Sequence, residues 1–119
     1  MKQTDVTLDT LRDALRRFAA ARDWQQFHTP KNLAMALSVE AAELLEHFQW
    51  LTPEQCKRLD AKTKRAVGEE IADVLLYLTR LADVLEIDPL AAAKRKMKIN
   101  ARKYPVRQAR GSARKYSDY

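Results

Sequence analysis

Four carboxylates carry the most distinctive chemistry in this sequence. Glu40 and Glu43 are separated by two residues, as are Glu70 and Asp73, and each pair falls in a stretch with helical periodicity. At about 100° per residue, Glu40 shares a face with Leu33, Ala36, Leu37 and Leu44, with Glu43 on its flank. Glu70 aligns with Val67, Val74, Tyr77 and Leu81, with Asp73 beside that stripe. Glu46 falls instead on the polar side with Ser38 and Gln49, and Thr79, Asp83 and Glu86 fall opposite the Glu70 stripe, where solvent is expected.

Most helical acid pairs are solvated surface, and either pair alone would read that way. Both pairs lying within apolar stripes changes the reading. Carboxylates gathered between packed helices repel one another and lose hydration unless a proton or a cation sits among them. Oxygen-only ligands suit a hard cation, and magnesium is the usual partner of phosphate substrates, with manganese as a substitute. A di-iron bundle needs a Glu-x-x-His pair on each of two helices. Here His47 stands four residues after Glu43, and His28 lies outside the helices, so that reading is weak.

The elements that would position these acids are helices. The chain has 119 residues, 46% hydrophobic and 32% charged, with two glycines and four prolines, which fits one all-α domain and disfavours a turn-rich β fold. Asp5 or Thr7 caps a first helix to about Arg22, and Pro30 opens a second that ends near Trp50. Thr52-Pro53-Glu54 starts a short turn, a long third helix spans Thr63 to Glu86, and Asp88-Pro89 opens a fourth to about Lys103. Tyr104-Pro105 stops it. The expected architecture is a four-helix bundle over 1–104 with an extended or mobile basic tail over 105–119. Arg102 to Tyr119 holds six basic residues and one acid, so five of the six net positive charges sit there. A chain this short buries a limited core, and its broadly apolar helix faces suggest a homo-oligomer, dimer or tetramer.

No apolar run is long enough to span a membrane, the N-terminus lacks a secretory pattern, and Cys56 is alone, which together point to the cytoplasm. The competing class is a basic helical nucleic-acid-binding protein acting through its tail. That reading leaves the four inward acids unexplained, since they would repel DNA.

The two acid motifs resemble the metal motif of the MazG-like all-α nucleoside triphosphate pyrophosphohydrolases. The segments Arg22-Asp23-Trp24-Gln25-Gln26-Phe27-His28, Phe48-Gln49-Trp50, Lys96-Met97, Ile99-Asn100, Tyr104-Pro105 and Ala113-Arg114-Lys115-Tyr116 look like the dCTP pyrophosphatase branch. Lys98 and Ala101 depart from that branch, in place of an acidic and a basic residue. The resemblance implies hydrolysis of a nucleoside triphosphate to the monophosphate and pyrophosphate. It assigns magnesium to Glu40, Glu43, Glu70 and Asp73, phosphate or sugar to Lys96, Asn100 and Lys103, and the nucleoside pocket to Trp24, His28, Trp50 and Tyr77. Lys96, Asn100 and Lys103 also share one helix face. Trp24 precedes the second helix and Trp50 follows it, so helix rise alone sets them roughly 35–40 Å apart. One base contacting both implies a pocket shared between subunits.

Overall fold

The computed structural model describes residues 6–119; Asp5, the alternative first cap, lies outside them. Among the described residues the elements are helices and turns. They are α1 (Leu8–Ala21), α2 (Pro30–Glu46), α3 (Pro53–Cys56), α4 (Ala61–Val84), α5 (Pro89–Lys103) and α6 (Val106–Ala109), with 3-10 turns at Gln25–Phe27 and Tyr116–Asp118. The all-α expectation holds.

Local chemistry explains the boundaries. Thr7 caps α1, its hydroxyl oxygen accepting from Thr10 N at 3.1 Å, and Thr29 caps α2 ahead of Pro30. Thr52 and Asp88 cap α3 and α5, as the sequence suggests. Three boundaries differ from the sequence reading. The second helix ends at Glu46, and His47 to Trp50 form turns beyond it. The third begins at Ala61, because the Asp60 carboxylate accepts from Thr63 N at 2.7 Å and caps the helix earlier. It stops at Val84, before Glu86 adopts a left-handed φ of 57°.

Two compact units make up the chain, one ending at Glu86 and the other running from Ile87 to Tyr119. In the first, α4 is the central element and both α2 and α1 pack against it. Packing by α1 overturns the expectation that Thr79 and Asp83 face solvent. Thr79 is buried and donates its hydroxyl to Leu75 O at 2.7 Å, and the Asp83 side chain is 8% exposed. Glu86 is exposed, as expected.

In the second unit, residues after Pro105 are not extended throughout. Helix α6 follows directly, and the rings of Tyr116 and Tyr119 meet Tyr104 edge-on at 5.8 and 6.0 Å. Lys103 Nζ lies 4.8 Å over the Tyr116 ring. Aromatic edge contacts and this cation–π contact give the tail a local anchor that its basic composition conceals.

The core within one chain is thin. Among the described residues, the buried hydrophobic side chains are Ala19, Leu33, Val67 and Ala82. Met35 and Val39 on α2, with Ile71, Leu75 and Leu78 on α4, remain 43–56% exposed. No described helix is long and apolar enough to cross a membrane.

Candidate metal centre and adjoining cavity

Helix α2 supplies Glu40 and Glu43 and helix α4 supplies Glu70. One carboxylate oxygen from each lies within 4.8 Å of the others. Oε2 of Glu40 and Oε2 of Glu70 are buried with no hydrogen-bond partner among the described residues. Buried acceptors without donors are costly, and three acids together add repulsion. Burial raises the Glu40 carboxyl first, neighbouring Glu43 and Glu70 and the charge of Asp73 raise it further, and its pKa reaches about 7. The donor set is all oxygen, anionic and partly stripped of water, which fits a hard divalent cation.

Asp73 falls outside that three-carboxylate cluster and lines a cavity of about 170 Å³ with Leu15, Phe18, Trp24, His28, Leu76, Tyr77 and Arg80. Its charge nonetheless acts on Glu40, so cluster and cavity adjoin. The cavity is largely apolar in its lining, with a few convergent polar groups, the usual character of a small-molecule site.

Trp24 reaches the cavity through the turn that closes α1. Asp23 adopts a left-handed φ of 53°, which Asp tolerates better than most residues, and Trp24 N donates back to Ala19 O at 2.9 Å. Gln26 Nε2 braces that turn by donating to Asp23 O at 3.0 Å. The Trp24 ring then meets Phe18 at 5.7 Å and His28 at 6.2 Å, both edge-on. Asn32 Nδ2 donates to Phe27 O at 3.0 Å and fastens the connector to α2.

The sequence-derived site therefore divides. Glu40, Glu43 and Glu70 come together; Trp24, His28, Asp73 and Tyr77 come together beside them. Trp50 lines no part of this cavity and is 86% exposed in the turns after α2. Lys96 and Asn100 are exposed on α5, and Lys103 is half-buried against Tyr116.

Leu15, Phe18, Leu76 and Arg80 are cavity residues that sequence reasoning passed over. Arg80 had a signal: it stands three residues after Tyr77 and seven after Asp73, on the same helical face. Its guanidinium is buried, with Nε donating to His28 Nδ1 at 3.0 Å and Nη1 to Asp83 Oδ2 at 3.3 Å. Asp83 also accepts from Arg16 Nε at 2.7 Å, and that bond, against some opposing burial, holds its carboxyl below the ordinary range.

The MazG-like family model matches residues 35–119, a span that contains both acid motifs. The chain belongs to the MazG-like family. It is 44% identical to dCTP pyrophosphatase 1 of Homo sapiens over 116 residues, covering 96% of this chain and 68% of that protein. Against dCTP pyrophosphatase 1 of Bos taurus the identity is 43% over 117 residues, covering 97% and 69%. A solved pyrophosphatase from Archaeoglobus fulgidus superposes with a TM-score of 0.79 at 48% identity, covering 88% of this chain and 98% of that one. For this MazG-like chain, the similarity spans the acid cluster and the aromatic cavity together.

Proposed function

We propose that this MazG-like protein hydrolyses a nucleoside triphosphate, dCTP or a related pyrimidine nucleotide, to the monophosphate and pyrophosphate. The observation that carries the reading is the acid cluster with two unpartnered buried oxygens, set beside an aromatic cavity. Relatives named dCTP pyrophosphatase 1 support the choice of base.

Glu40, Glu43, Glu70 and Asp73 would hold magnesium, or manganese in its place. Bound there, the cation would supply charge neutralisation at the triphosphate and Lewis-acid activation of the attacking water. A carboxylate oxygen left free of it accepts the proton of the attacking water. Trp24 and Tyr77 enclose the base, and burial in this cavity excludes bulk water around it. Lys96, Asn100 and Lys103 are assigned to phosphate or sugar, stabilising charge on the leaving pyrophosphate. We assign residues 1–104 to the hydrolase domain and 105–119 to its basic tail.

The assembly is proposed as a homo-oligomer acting in the cytoplasm. Support comes from the exposed apolar residues on α2 and α4, which a lone domain would not leave in water. Trp24 shares a cavity with Asp73 of its own chain, so Trp50 is the tryptophan assigned to a neighbour's site. Mixing Trp50→Ala with Glu43→Ala under subunit exchange should then recover part of the activity; no recovery despite exchange rejects the shared pocket.

A screen of deoxynucleoside triphosphates with magnesium tests the reaction itself. The expected products are a monophosphate and pyrophosphate, abolished by a chelator. Release of a diphosphate with orthophosphate, or no turnover with either metal, overturns the proposal.

A further inference from the structure

His28 is bonded at Nδ1 by a group that can only donate. The Arg80 Nε–H reaches His28 Nδ1 at 3.0 Å, and a guanidinium has no acceptor and keeps its protons at any physiological pH. Nδ1 must therefore present its lone pair. A neutral imidazole in that state carries its proton on Nε2. Burial, and then the charge of Arg80, lower the pKa of His28, which keeps the ring neutral where an ordinary histidine begins to protonate.

Arg80 is itself fixed. It is 9% exposed, Nη1 donates to Asp83 Oδ2 at 3.3 Å, and Asp83 is bound from α1 by Arg16. Both His28 and Arg80 line the cavity that also holds Trp24 and Tyr77.

We infer that Arg80 is a positioning residue for base recognition: its Nε–H holds His28 as an Nε2–H donor, so His28 meets a hydrogen-bond acceptor on the ligand and not an amino group. This rests on the reading of the cavity as a base site. Cytosine offers both kinds of group, its ring N3 and O2 as acceptors and its exocyclic amino group as a donor. His28 is thereby directed to the acceptors.

Two measurements test this, and the first needs no ligand or activity. Ring nitrogen NMR of histidine-labelled, ligand-free protein reads the tautomer, with His28→Ala identifying the His28 signals against those of His47. In the wild type, Nδ1 should be unprotonated and Nε2 protonated. Asp83→Asn, which loosens the ion pairs and leaves the Arg80–His28 bond in place, should keep that pattern. Arg80→Leu should give a mixture of tautomers. A protonated Nδ1 in the wild type overturns the inference, as does equal scrambling in Asp83→Asn, which would make Arg80 a structural tether only. Should Arg80→Leu fail to fold, the wild-type and Asp83→Asn spectra still decide.

The second measurement compares binding of deoxycytidine monophosphate with its pyrimidin-2-one analogue, which lacks the exocyclic amino group. His28→Ala should weaken both roughly 3- to 10-fold, the worth of one hydrogen bond. If the loss disappears with the analogue, His28 accepts from the amino group and the donor assignment fails. If neither nucleotide binds, the base-site reading and the recognition role fall together, while the spectra separately decide whether Arg80 holds the tautomer.

Discussion

The two sides of α4 handle buried charge in opposite ways. Towards α1, Asp83 is buried between two guanidiniums, Arg16 and Arg80, and its carboxyl is held in the ionised form. Towards α2, Glu70 meets Glu40 and Glu43, all of one sign, and two oxygens are left without donors. The first arrangement is complete within the chain, so it ties helices together. The second is incomplete, so it invites a cation. Buried acids alone do not distinguish a structural network from a metal centre; whether the protein supplies the counter-charge does.

The comparison breaks most visibly in activity. Glu43→Ala and Asp73→Ala should each lower turnover roughly 1000-fold, the several kcal/mol that a metal contributes at a transition state, while circular dichroism stays helical. Near-normal turnover in either variant would remove that acid from the proposed metal site.

A stability effect of opposite sense is expected on the other side. Asp83→Ala leaves Arg80 buried without a carboxylate and should cost about 3 kcal/mol in denaturant unfolding, the lower end for a broken buried pair. A change within about 0.5 kcal/mol would show that the pair is dispensable, as many surface pairs are.

The acid cluster should instead lose stability as it ionises. Glu40 has a folded pKa of about 7 against an ordinary 4.5, so its stabilising contribution is present below about 4.5 and is lost as pH rises towards 7. His28, with its pKa lowered, works the other way, losing stability as pH falls below 6.5. The informative readout is therefore the melting temperature of metal-free wild type minus that of Glu40→Gln. That difference should fall between pH 4.5 and 7, and magnesium should reverse the fall. A flat difference would mean that Glu40 feels neither burial nor its neighbours.

The smallest effect belongs to Glu46→Ala. Glu46 is exposed at the end of α2, and both turnover and stability should stay close to wild type, within about 0.5 kcal/mol for the latter. A loss matching that of Glu43→Ala would erase the distinction between the two faces of α2.

Much of the acid cluster was legible because helical periodicity converts directly into shared faces. Glu40 and Glu70 stood among aliphatic residues in the sequence, and the helices brought them together without further information. Trp24 and His28 were legible as pocket residues only through resemblance, because their approach depends on the left-handed turn at Asp23, which no periodicity encodes. Asp83 was misread for a related reason. A polar residue opposite an apolar stripe looks solvated, and only the approach of α1 with Arg16 reveals that the second side of α4 is buried too.

What the sequence determined by itself was local: helix starts at Thr7, Pro30, Thr52 and Asp88, the all-α class, and the placement of acids within apolar stripes. Capping and face periodicity depend on residues within a few positions of one another, so one dimension suffices. Tertiary structure alone decided which charges were answered. It gave Asp83 two arginines, fixed the Nδ1 of His28 as an acceptor, separated Asp73 from the three-carboxylate cluster, and left Glu40 and Glu70 with oxygens facing no donor. Counter-charge acts through space over a few ångströms, and the partners that supply or withhold it here are tens of residues apart along the chain.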